Sequence, residues 1–226
     1  MSEANTETKP ENTATSSGVT VHVVDHPLAA QRLVELRDIA TTNSAFRHAL
    51  DDLGTMLIYE AARHLPTVDV TVTTPLGPAP GRRLAHNPVV VPVLRAGLGL
   101  LPSAFRALPD ADAGFVGMAR DEETFAPVPY VSKLPAQMSG RPCIVLDPML
   151  ATGGSLSHTC QLLLERGAPD PLIVVCVLAA PEGIERLRAD GLHLTIVTAS
   201  VDSHLNEKAF IVPGLGDAGD RQFGPG

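Results

Sequence analysis

Apolar residues first recur with a period at Val21-His22-Val23-Val24. The stretch before them, to about Gly18, is rich in Thr, Ser, Glu and Asn and carries no hydrophobic period. It reads as a disordered tail over residues 1–18, ahead of one domain over 19–226. Between Pro27 and Leu65 the period becomes helical. Phe46, Leu50, Leu53, Leu57 and Ala61 stand three or four residues apart and line one helix face. The cluster Thr41-Thr42-Asn43-Ser44 offers N-caps for the second helix of this stretch. From Val68 the pattern switches. Val68, Val70 and Val72 alternate with polar residues, as in a half-buried strand. Pro75, Gly77, Pro78, Pro80 and Gly81 then interrupt regular structure. The combination predicts a hairpin arm projecting from the core over Val68–Arg83.

Beyond the arm, short apolar runs alternate with helical stretches. The runs Val89–Val93, Cys143–Leu146, Leu172–Leu178 and Leu192–Val197 are predicted strands. Ser155–Arg166 is a predicted helix with Gly167 as its C-terminal cap. Pro181–Ala189 is another, with Pro at its start and Gly191 past its end. Near-continuous apolar strands separated by helices predict an α/β fold, a parallel sheet with helices on both faces. Ligands of such sheets bind beyond the carboxyl ends of the strands. The chemistry is therefore expected just after Val93, just after Leu146 and near the C-terminus.

Composition narrows the classes. A chain of 226 residues, 44% of them hydrophobic, suits one domain with a buried core. A formal net charge of −8 disfavours a general nucleic-acid binder, so no nucleic-acid partner is expected. Cys143, Cys160 and Cys176 form no CxxC pair and have apolar neighbours, which predicts buried free thiols in a reducing compartment. The eight histidines show no metal-ligand spacing. No apolar run approaches the ~20 residues of a membrane span, and the N-terminus lacks a signal pattern. A soluble cytoplasmic protein with no membrane partner is expected.

The segment richest in chemistry is Cys143-Ile144-Val145-Leu146-Asp147-Pro148-Met149-Leu150-Ala151-Thr152-Gly153-Gly154-Ser155. It reads as a buried strand, then an acid, then a small-residue turn opening a helix. The turn can offer several backbone N–H groups to one anion, and the helix N-terminus adds a favourable field. Thr152 and Ser155 add hydroxyl donors. A sugar 5-phosphate suits such a cradle, and Asp147 can accept from ribose hydroxyls. A Walker A loop is excluded because Gly154, not Lys, precedes Ser155. Gly214-Leu215-Gly216-Asp217-Ala218-Gly219 satisfies the dinucleotide fingerprint, but the seven residues after it leave no room for the helix and second strand that motif needs.

The segment Asp147–Ser155 resembles the phosphoribosyl pyrophosphate (PRPP) signature of type I phosphoribosyltransferases. Val90-Val91-Pro92-Val93-Leu94-Arg95-Ala96-Gly97-Leu98-Gly99 is similar to the pyrophosphate loop of the uracil phosphoribosyltransferase family. Ala179-Ala180-Pro181-Glu182-Gly183 and Pro213–Asp220 also resemble segments of that family, and the likeness runs from Val21 to Gly224. The wider signature has two adjacent acids; Pro148 stands in place of the second, as uracil-specific members tend to have it, leaving Asp147 alone. The resemblance implies a type I phosphoribosyltransferase-like sheet with a projecting β-arm and a C-terminal base-binding segment. It implies conversion of uracil and PRPP to UMP and diphosphate in pyrimidine salvage.

It further implies site residues. PRPP would be held by Arg95, by Arg120 in a mobile loop over Met118–Thr124, by Asp147 through Ser155, and by Asp217. Asp147 would be the catalytic carboxylate, accepting from the ribose hydroxyls, and uracil would meet Ile211, Gly216, Asp217 and Ala218. The implied cofactor is Mg²⁺ held mainly through PRPP, without a protein metal cage. A dedicated general base is not evident. GTP activates some relatives, and the arm implies a homodimer or larger homo-oligomer. Three other readings compete: an RNA-binding regulator of pyrimidine genes, opposed by the acidic charge; a transferase for a different base such as a purine, opposed by Pro148 and the C-terminal segment; and a structural protein with a vestigial site, opposed by the intact Asp147, Thr152, Gly153 and Ser155.

Overall fold

The computed structural model describes residues 18–120 and 127–225, with main chain alone at 118–120 and 127–129. The predicted tail lies outside them except for Gly18. The strands are β1 Val19–Val23, β2 Thr67–Thr74, β3 Gly77–Leu84, β4 Val89–Leu94, β5 Asp112–Ala113, β6 Phe115–Arg120 and β7 Pro127–Lys133. They continue with β8 Cys143–Leu146, β9 Met149–Leu150, β10 Leu172–Ala179, β11 Leu194–Val201, β12 His204–Leu205 and β13 Ile211–Val212. The helices are α1 Pro27–Arg37, α2 Asn43–Ala61, α3 Leu101–Ala107, α4 Gly154–Glu165, α5 Pro181–Ala189 and α6 Ala218–Phe223.

The main sheet runs β1-β11-β10-β8-β4-β6-β7, with β5 beside β4 and β9 beside β10. Its pairs are parallel except β6 with β7. The apolar runs are explained by two cores. Successive residues of a strand point to opposite faces, so Ile144 and Leu146 enter one core while Cys143 and Val145 enter the other. Val90 faces the first, and Val89, Val91 and Val93 the second. Helices α1, α2 and α3 cover the first face, and α4 and α5 the second. Burying one such side chain is worth about 1.5–3 kcal/mol, so either face left bare would cost most of a domain's stability.

The helix stripe on α2 is the spine of the first core: Phe46, Leu50, Leu53, Leu57 and Ala61 are all buried. Thr42 caps this helix, its hydroxyl accepting from Ala45 N–H at 3.3 Å. The predicted arm is the hairpin β2–β3, paired from Thr67↔Leu84 to Thr74↔Gly77.

One expectation changes. Met118–Thr124 was expected to be a loop, yet Met118–Arg120 belongs to β6, paired with β7. The prolines of Pro127-Val128-Pro129 argue against a strand in sequence, but β7 is an edge strand, where a missing N–H is tolerated. The C-terminal glycine-rich stretch ends in α6, with Ala218 and Gln222 buried.

Candidate active site

The register Pro92↔Leu146 sets the carboxyl ends of β4 and β8 side by side. Arg95 and Asp147, 52 residues apart in the chain, therefore start their loops from one edge of the sheet. After Asp147 the chain does not turn at once. Met149 and Leu150 pair with Leu178 and Ala179 of β10, and the Pro148 carbonyl accepts from Val177 and Leu178 N–H. Pro148 and Leu150 are consequently buried, shaping the segment from inside, whereas Met149 and Ala151 reach the cleft.

The turn then opens α4. Gly153 is its N-cap with φ +78°, a left-handed conformation that favours glycine. A Cβ there would stand 2.8 Å from the Gly183 carbonyl oxygen on α5. A Cβ on Gly183 would in turn meet the Ala151 carbonyl oxygen at 2.4 Å. The two glycines thus let the first turn of α5 press against the turn that opens α4, which gives the Ala-Pro-Glu-Gly segment a physical reason. Ser157 N–H makes the first intrahelical bond, to Gly153, so the N–H groups of Gly154, Ser155 and Leu156 point out of the helix end. Thr152 is exposed and Ser155 half-buried beside them.

On the neighbouring loop, Arg95 precedes a 3-10 turn over Ala96–Leu100. Its half-exposed guanidinium lies 3.4 Å from an Asp220 carboxylate oxygen on α6. The side chain of Arg120 lies outside the described residues. Asp217 caps α6, its Oδ1 accepting from Asp220 N–H at 2.9 Å. These contacts fold the C-terminal segment back over the β4 loop. The result is a cleft of about 470 Å³ bounded by Ala96, by Met149 and Ala151, and by Ile211, Gly216, Asp217, Ala218 and Gly219. Three segments far apart in sequence, each singled out by its residues, meet in one cavity.

A family model described as uracil phosphoribosyltransferase matches residues 23–225. Uracil phosphoribosyltransferases of Corynebacterium diphtheriae and Corynebacterium efficiens are 52% and 51% identical to the chain, each over 91% of it and 97% of the relative. The chain belongs to the uracil phosphoribosyltransferase family. A solved structure from Aquifex aeolicus superposes with a TM-score of 0.84 at 37% identity, covering 91% of this chain and 98% of that one. In this family member a larger, mostly apolar hollow of about 690 Å³ lies between β1 and α2, and it shares no lining residue with the cleft.

Electrostatics set Asp147 apart. Burial pushes its carboxyl up to about 7, against the opposing pull of the Met149 N–H. Among the described residues no three His, Cys, Asp or Glu side chains converge as a metal cage. Asp217 lines the cleft, and Asp147 stands two residues before Met149, which lines it too; carboxylates of this kind suit Mg²⁺, which keeps waters and substrate phosphates and needs only one or two of them. The three cysteines are free and buried, and burial raises their thiols to about 11 for Cys143 and about 12 for Cys160 and Cys176. No described helix is long and apolar enough to cross a membrane.

Sequence reasoning missed Lys208 and Ala209, which line the cleft. It also missed Glu182, whose carboxylate accepts from Leu205 N–H at 2.8 Å and so ties α5 to the β12–β13 hairpin carrying Ile211. The signal for Glu182 was its presence in a family-like segment. Lys208 had none, being one charge in a polar turn.

Proposed function

We propose that the chain transfers ribose 5-phosphate from PRPP to uracil, giving UMP and diphosphate. The carrying observation is the cleft in which Ala96 of the β4 loop, Met149 and Ala151 of the segment leading into α4, and Ile211 with Gly216–Gly219 meet, in a chain of this family. N1 of uracil forms its bond to ribose C1 as the bond from C1 to diphosphate breaks, and the N1 proton is lost. Positive charge grows on the ribose in the transition state, so fixing the two reactants and neutralising the leaving group do most of the catalysis.

We assign the 5-phosphate to the open N–H groups and hydroxyls of Thr152, Gly153, Gly154 and Ser155. Asp147 accepts from the ribose hydroxyls, and Arg95 and Arg120 hold the diphosphate, a guanidinium being able to grip it in two places. Main-chain groups of Ile211, Gly216 and Ala218, with Asp217 beside the ribose, read the acceptor–donor–acceptor edge of uracil. Cytosine inverts two of those positions, and a site built on buried hydrogen bonds rejects such an analogue strongly. Mg²⁺, when bound, supplies charge neutralisation at the diphosphate, and PRPP oxygens and water would hold it with Asp147 as the carboxylate at hand.

Among the described residues the β2–β3 arm pairs only with itself, a state that is marginal in water for two strands, and Leu76 at its tip is fully exposed. We assign it to contact with a second copy in a homodimer or larger assembly. Residues 19–226 are taken as one domain behind a tail, in the cytoplasm, a reading supported by the three free buried thiols. The test is UMP formation by the purified chain from uracil, PRPP and Mg²⁺, with and without GTP, and with cytosine and hypoxanthine as comparators. Nucleotide formed from uracil alone is expected. Absence of UMP, or equal use of hypoxanthine, refutes the assignment.

A further inference from the structure

Arg37, the last residue of α1, and Asp202, just past β11, are 165 residues apart and form a two-pronged ion pair. Arg37 Nη1 donates to Asp202 Oδ2 at 2.7 Å and Nη2 donates to Oδ1 at 2.6 Å. The Asp202 side chain is only 3% exposed. The pair does not close on itself. Arg37 Nη1 also donates to the Gly214 carbonyl at 2.8 Å, and Gly214 N–H donates to Asp202 Oδ2 at 2.9 Å. One ion pair thus holds both polar groups of a single peptide residue. Ser200 Oγ steadies Oδ1 at 2.9 Å, and Asp202 N–H is fixed to the Ala179 carbonyl at 2.8 Å. Burial alone would raise the Asp202 carboxyl; Arg37, then the Gly214 N–H and Ser200, outweigh it and hold it below the usual range.

Gly214 lies three residues after Ile211 and two before Gly216, both of which line the cleft. Its φ is +62°, and a Cβ there would meet the Ile211 carbonyl oxygen at 2.1 Å. The turn is folded so tightly that the position of Gly214 sets where the Ile211 peptide stands. Three rigid elements, α1, β10 and β11, therefore converge through Arg37 and Asp202 on the middle of the base-binding segment. A buried ion pair is weak evidence for stability but fixes one geometry. A site that reads its ligand through main-chain groups needs such support, because those groups must be held to within ~0.5 Å.

We propose that Arg37 and Asp202 are a positioning pair that sets the main chain of the Ile211–Ala218 segment, and with it uracil affinity, without touching substrate. This rests on the uracil reading of that segment. The test compares UMP formation by the wild type, Asp202→Asn, Arg37→Lys and Ser200→Ala, measuring kcat and the KM of each substrate. Uracil KM should rise about tenfold or more in Asp202→Asn and Arg37→Lys, as expected for losing charge-assisted hydrogen bonds. Ser200→Ala should show a smaller rise of the same kind. PRPP KM should stay within about twofold in all three, since the cradle is not held by this pair.

A flat uracil KM overturns the inference even where the melting temperature drops. Parallel rises in both KM values also overturn it, because general loosening would not choose a substrate. Should Asp202→Asn fail to fold, Arg37→Lys and Ser200→Ala decide by the same split. A wild type that makes no UMP overturns the functional reading and this inference with it. An active wild type with unresponsive variants overturns the positioning pair alone.

Discussion

Asp147→Asn removes the charge at the end of β8 while keeping the side chain's size and the Oδ1 that accepts from Met149 N–H at 3.4 Å. Burial carries the wild-type carboxyl from 3.8 to about 7. Its folded value therefore lies above its unfolded one. The stability linked to this proton is fully present below about pH 4 and is lost as pH rises through about 7. At 1.36 kcal/mol per pH decade, the penalty for the ionised form is at most about 4 kcal/mol. For a domain of this size that amounts to a shift of roughly 8–16 °C. Asn carries no such penalty. The ligand-free variant should match the wild type near pH 4 and melt higher than it at pH 8. PRPP should reverse the order at pH 8, because the ribose hydroxyls are assigned to the ionised carboxylate. Thermal melts of both proteins at pH 4, 6 and 8, with and without PRPP and Mg²⁺, read both effects, and other titrating groups cancel in the difference. A difference between the two ligand-free proteins that does not change with pH refutes the burial argument. A PRPP-induced rise as large in the variant refutes the ribose assignment.

Gly153→Ala places a Cβ at a left-handed φ and within 2.8 Å of the Gly183 carbonyl. It should cost about 1–3 kcal/mol in thermal unfolding and raise PRPP KM; an unchanged melt and KM would contradict the packing against α5. Ending the chain at Pro213 removes buried Leu215, Ala218 and Gln222, with the Arg221 bonds to the Leu36 and Asp38 carbonyls at 2.6 and 2.7 Å. The truncated chain should therefore melt well below the full one, and wild-type melting with only uracil transfer lost would show α6 to be a detachable flap. Leu76→Asp puts a charge on the arm tip and should move the protein toward monomer in sedimentation velocity, while an unaltered sedimentation coefficient at matched concentration would count against the arm as the contact.

The strands were legible because each short apolar run feeds two cores, so Val89–Val93 and Leu172–Leu178 stand out without help from spacing. The α2 stripe was legible because one helix face buries five regularly spaced residues. Strand β7 was not, since local proline chemistry argues against a strand and only its place at the sheet edge permits one. The helix opening at Thr152–Ser155 could be read locally because a strand, a glycine turn and a helix start are set by consecutive residues. The missing Cβ of Gly153 faces α5, so this residue answers to a packing demand that the sequence does not display.

The cleft as a whole is a different kind of object. Ala96, Met149 and Ala218 share it only because β4 and β8 pair at Pro92↔Leu146 and because α6 returns to the β4 loop. Gln222, fully buried on α6, donates from Nε2 to the Ala96 carbonyl at 3.1 Å and the Ala218 carbonyl at 2.7 Å, pinning one wall of the cleft to the other. Nothing in the spacing of Ala96 and Gln222, 126 residues apart, encodes that contact. The same holds for Arg37 and Asp202. Local chemistry thus names the residues that could touch a phosphate or a base, while strand register and a few long-range hydrogen bonds decide that they touch the same one. A substitution in the second group should accordingly disturb substrate selection with no change in any residue that faces the substrate.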